Sequence, residues 1–258
     1  MNCMKRFWLG LFCATVLVAL AEAQTNIPAG TLIPVKLNSA IAGGHATSGQ
    51  TISATVAQDV PLGNGAKISR GAHVSGEVLA SSPTTLALRF DKVSINGQMT
   101  PIATNLRAMA SPLDVDSAQT QISGDERGSV PAWSQTVPLV GGNDVAYREQ
   151  GTVDDGIEPV GKPVWSGDWG VVNQVASRPG EPCRGAVAGN TQPQPMWVFA
   201  HDACGVYGYD MQITDAGRGN SQGKIALQAT PGNLKLYKGT ALLLRVNASG
   251  QQVQAASQ

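Results

Sequence analysis

The chain has 258 residues, 18 Lys and Arg against 18 Asp and Glu, and only 14% charged side chains. With no basic run beyond Lys5-Arg6, the counterion release that drives nucleic-acid binding has no source. The 42% apolar content, set in alternation, excludes a disordered chain, and 30 Gly with 15 Pro suit a β-rich exported protein of one large domain or two small ones.

Residues 1–23 read as a signal helix. Lys5-Arg6 supply the positive start, Phe7 to Leu20 the apolar stretch, and Ala21-Glu22-Ala23 the small-residue cleavage site. An uncleaved anchor is the alternative, but a span needs about 20 apolar residues and this run is shorter. Cleavage would leave an exported chain, in the periplasm or at the cell surface, with no integral membrane span. It would also leave two cysteines, Cys183 and Cys204. In an oxidising compartment two such thiols pair more often than not, and a loop of this size is worth about 3 kcal/mol. Two buried free thiols are the alternative.

Residues 24–111 predict the first part of a β core. Thr31 to Leu37 alternates, and Pro34, which cannot donate to a ladder, predicts an edge strand. A strand over Thr51 to Val60 follows, then a turn at Asn64-Gly65, then Ala72, Val74, Gly76 and Val78 in phase. Leu86, Leu88 and Phe90 hold one face, but Val93 and Ile95 fall on the other parity. One bulged residue near Asp91-Lys92 reconciles them. Asn96-Gly97 is the strongest hairpin signal, with a return strand over Met99 to Ala103.

From Ser111 the periodicity weakens. Residues 112–223 predict a loop-rich β insert, with strand-like runs at Ser134 to Val140, Val145 to Arg148, Val171 to Val175 and Met196 to Ala200. Residues 224–247 predict the second part of the core. Ala241 to Val246 is apolar enough for a strand that is buried on both faces or that closes a barrel. Residues 248–258 form a polar tail. The fold class expected is all-β: a barrel-like or sandwich core, an elaborated insert and a signal helix.

Four segments together resemble the C-terminal β-barrel of the TrbI family: Pro28-Ala29-Gly30-Thr31, Val56 to Val60, Ile68 to Gly76, and Arg89 to Val93 with Asn96-Gly97. The closing Lys238 to Val246 is similar to that family's last strand, and Ser69 stands where its turn often has Pro. The resemblance implies a barrel and an envelope component of conjugal transfer or type IV secretion. Asp202 to Tyr209 also resembles exported proteins of acidobacteria.

Catalytic signals are weak. His201-Asp202-x-Cys204 offers too few ligands for a metal. Asp114-Val115-Asp116 lacks the Gly and Glu of a calcium loop and reads as a solvated turn. Asp154, Asp155 and Glu158 sit among Gly and Pro, as an exposed loop would. No nucleophile stands with its base, so no catalytic residue, metal or cofactor is expected. Trp133, Trp165 and Trp169 are the binding candidates, held flat for a sugar ring or a peptide, or else filling a small second core. Trp197 is expected in the core. The expected function is a non-enzymatic envelope protein with a structural or assembly role. The alternative is a glycan- or peptide-binding module that uses the tryptophans. The partner is accordingly an envelope protein or a glycan.

Overall fold

A computed structural model describes residues 27–63, 65–119, 136–142, 145–148, 152–154, 159–163, 173–176, 193–218, 223–230 and 232–249. The first part holds β1 Leu32–Leu37, β2 Ile41–Ala42, β3 Thr51–Val56, β4 Val60–Gly63, β5 Ala66–Ile68, β6 His73–Ser81, β7 Thr85–Ile95, β8 Gln98–Ala110 and α1 Pro112–Gln119. Then come β9 Thr136–Val137, β10 Val145–Arg148, β11 Thr152–Asp154, β12 Pro159–Pro163, β13 Asn173–Ala176 and β14 Pro193–Pro195. The last are β15 Gly205–Tyr207, β16 Met211–Asp215, β17 Ile225–Ala229, β18 Lys235–Leu236 and β19 Ala241–Ser249. Among the described residues no helix is long and apolar enough to cross a membrane.

Six strands close into a barrel, β8-β19-β1-β3-β6-β7 and back to β8, each antiparallel to the next. The all-β expectation holds, and the core is a barrel. The last strand is the stave between β1 and β8. Its two faces enter two cores: Leu242, Leu244 and Val246 point into the barrel with Val35, Phe90 and Leu106, while Ala241 and Leu243 face outward with Leu32, Ala108 and Ala110. This double burial explains the unbroken apolar run. Each such Val, Leu, Ile or Phe contributes about 1.5–3 kcal/mol.

The bulge expected in β7 is present. Ser75 pairs with Lys92 and Gly76 with Phe90, so Asp91 is the extra residue, and Leu86, Leu88, Phe90, Val93 and Ile95 all reach one core. Asn96 and Gly97 have φ of 50° and 83°, and Ile95 pairs with Gln98 across a two-residue turn.

Four expectations are corrected. Pro34 does not mark an edge, since β1 lies between β19 and β3. The β3 ladder begins only at Val35, and the Pro34 carbonyl accepts from the Ala57 amide at 2.9 Å. Pro34 therefore sits just past the ladder's end, where a missing N–H breaks nothing. The strand expected over Thr51 to Val60 breaks after Val56. There Gln58 is fully buried, and its Oε1 accepts from the Trp197 amide at 2.8 Å. Met196 to Ala200 is a turn and not a strand. Trp197 is buried as expected but at φ 52°, and Phe199 makes only an isolated bridge to Val140. Asp114-Val115-Asp116 lies in helix α1 and not in a turn. Ser111 caps it: the Ser111 Oγ accepts from the Asp114 amide at 3.2 Å and donates to the Asp114 carboxylate at 2.9 Å, with Pro112 at the first helical position.

Strands β9 to β14 form a separate six-stranded meander, order β14-β13-β12-β11-β10-β9. The second core, built from Val153, Met196, Trp197, Phe199 and their neighbours, packs on the outer face of β8 and β19. Two buried glutamines tie the units together. Gln58 holds the Trp197 turn, and Gln194 Oε1 accepts from the Leu32 amide at 3.0 Å.

Candidate functional site

The barrel interior is packed with aliphatic side chains, so the candidate site lies on its flank. The β7–β8 hairpin is zipped only from Ile95–Gln98 to Lys92–Pro101. Beyond that its arms take other partners: Thr85 to Leu88 of β7 pair with β17, and Ala108 to Ala110 of β8 pair in parallel with β15. Strand β16 adds to β17. The sheet thus grows to nine strands and ends on β15 and β16, which lie alongside each other.

A cavity of about 440 Å³ opens there, lined by Arg107, Cys204, Gly205, Val206, Met211, Gln212, Ile213, Ala216 and Arg218. Arg107 owes its place to a second bulge. Leu243 pairs with Ala108 and Leu244 with Leu106, so Arg107 is the bulged residue where β8 faces β19. Such a bulge re-aims a side chain out of the strict inside–outside alternation. The Arg107 side chain is buried. Its Nε donates to the Ala203 carbonyl at 2.9 Å and its Nη2 to the His201 carbonyl at 3.0 Å. Burial pushes the guanidinium down to about 10, against the opposing pull of the Asp202 carboxylate, so it is charged at neutral pH.

Tyr207 fixes the cavity's Cys204 side. Its hydroxyl accepts from the Cys204 amide at 3.0 Å and donates to the Cys204 carbonyl at 2.8 Å. Burial raises its pKa above the usual 10.0, with the Cys204 hydrogen bond opposing. The Ser111 amide donates to the Tyr207 carbonyl at 3.1 Å, which anchors β15 to the start of α1. Gly208 follows at φ 67°, and a Cβ there would collide with Asp114 and Ser111. The helix cap and the turn after β15 therefore require each other.

Trp133, Trp165, Trp169 and Cys183 lie outside the described residues, as do Asp155 and Glu158. Cys204 lines the cavity. His201 contributes its main-chain carbonyl to Arg107. Asp154 is half-buried on β11.

Sequence reasoning missed Arg107 and Arg218. The return strand was expected to stop at Ala103, whereas β8 runs to Ala110. A single charge in Ile102 to Ala110, an otherwise uncharged run, was the available signal. No family profile, curated protein or solved structure matches the chain.

Proposed function

We propose that this is a non-enzymatic, exported component of the cell envelope with a structural or assembly role. The observation that supports the reading most is the doubly buried β19. It is shared by a filled barrel and a second core on the barrel's outer face, which suits a scaffold. The segments behind the TrbI-family resemblance belong to the barrel strands and their turns, which supports a link to a secretion- or conjugation-like apparatus. Export also favours a Cys183–Cys204 disulfide that staples the Cys204 side of the flank cavity to the insert.

Envelope fractionation of cells that express the whole chain, followed by chemical cross-linking, tests this. The expected result is recovery in the envelope fraction and cross-linking into a larger complex. Recovery in the cytoplasmic fraction alone would contradict it.

A further inference from the structure

The flank cavity lies between strand edges and not on a sheet face. A face presents every second residue of a strand. Here Cys204, Gly205 and Val206 line one side in unbroken sequence, and Met211, Gln212 and Ile213 line the other. Both β15 and β16 are ends of the nine-stranded sheet, and among the described residues no ladder joins them. The cavity is a slot where a strand is missing between them.

Main-chain direction decides what faces the slot. The Tyr207 carbonyl accepts from the Ser111 amide, one residue past β8, so Tyr207 turns its main-chain groups to β8. Successive residues of a strand alternate, so Val206 turns its N–H and C=O away from β8 and into the slot. The Asp210 carbonyl accepts from the Thr230 amide at 2.9 Å, one residue past β17. By the same alternation Gln212 turns to β17, while Met211 and Ile213 turn to the slot. The side chains of Val206, Met211 and Ile213 are partly buried against the barrel core. The slot is short. The Gly208 to Asp210 link bounds one end, and the Leu106 amide, which donates to the Ala216 carbonyl at 2.8 Å, bounds the other.

We infer that this slot takes a short extended segment of a partner protein as an added strand between β15 and β16. Both walls present main-chain donors and acceptors at strand spacing, and another extended backbone is the group that matches them. Strand β15 is three residues long, so the segment that fits is about three residues, or roughly 10 Å of extended chain. A residue aligned with Val206 shares its face and points to the barrel core, so an apolar side chain belongs there. Its neighbours face water and are polar. The inference goes beyond the scaffold reading and does not depend on it: recovery in the cytoplasm would leave the slot in place.

Nuclear magnetic resonance on the whole isotope-labelled chain tests this, with a capped five-residue peptide that alternates Thr and Val as the probe. The peptide should bind saturably. It should slow amide hydrogen exchange at Val206, Met211 and Ile213 about tenfold or more, since these N–H groups gain partners. The same peptide N-methylated at both valines keeps its apolar surface but loses two donors, and should bind about tenfold more weakly or worse. Ile213→Pro removes an N–H that faces the slot and none from the β17 ladder. It should keep the circular dichroism spectrum and weaken the unmodified peptide about tenfold. Equal binding of the two peptides, binding that leaves the three amides unslowed, or no saturable binding overturns the inference.

Discussion

Gly76 faces the bulge at Asp91, and a Cβ there would drive into the Arg89 carbonyl. Backbone cannot give way as a side-chain tip can, so Gly76→Ala should cost about 3 kcal/mol in urea unfolding. Asp59 illustrates a milder effect. Its carboxylate takes the Lys67 ammonium at 2.6 Å and the Arg70 amide at 2.7 Å, and these hold its pKa below the usual 3.8. A depressed carboxylate adds stability above its unfolded pKa and loses it as pH falls through the lower folded value. The pair is largely exposed, so the gain is a few tenths of a kcal/mol. Asp59→Asn should therefore lower stability slightly at pH 7 and leave it unchanged well below pH 3, as read from denaturation midpoints at the two pH values.

Elements explain what the sequence left unread. The alternation in β7 is enough to place a bulge near Asp91, because two parities have to meet in one core. The bulge at Arg107 had no such signature. The outer face of β8 is buried too, so Ala108 and Ala110 look the same as interior residues. Met196 to Ala200 misled for the same reason: full burial favours apolar residues whatever the backbone does, and a Trp at positive φ leaves no trace in hydropathy. Helix α1 was legible through Ser111-Pro112 and Asp114, a capping signature that was read as a turn. At this scale the buried glutamines join elements. Gln194 replaces the strand partner that Leu32 lacks beyond the β3 ladder. Gln194→Ala should cost about 1–3 kcal/mol by chemical denaturation, because it strands the Leu32 amide.

The whole molecule joins two sequence-distant segments into one barrel, with the second core packed on its outer face. The apolar Ala241 to Val246 could be read as a strand that is buried on both faces or closes a barrel, and it does both. The candidate cavity could not be read, because β15 and β16 come from the region of weakest periodicity and join the barrel sheet only through tertiary pairing. The proposed Cys183–Cys204 staple belongs at this scale as well. Thiol titration of the secreted, denatured but unreduced chain should find no free thiol, and reduction should release two and lower stability by about 3 kcal/mol. Two free thiols before reduction would remove the staple.

Barrel closure by β19 is most directly read from nuclear Overhauser contacts between its α-protons and those of β1. Leu32 and Pro34 direct their main-chain groups toward the β3 side, so their pairs with Arg245 and Leu243 bring α-protons close together. Strong Leu32–Arg245 and Pro34–Leu243 contacts are the predicted result. A β19 with contacts to β8 but none to β1 would mean an open sheet and would contradict the account.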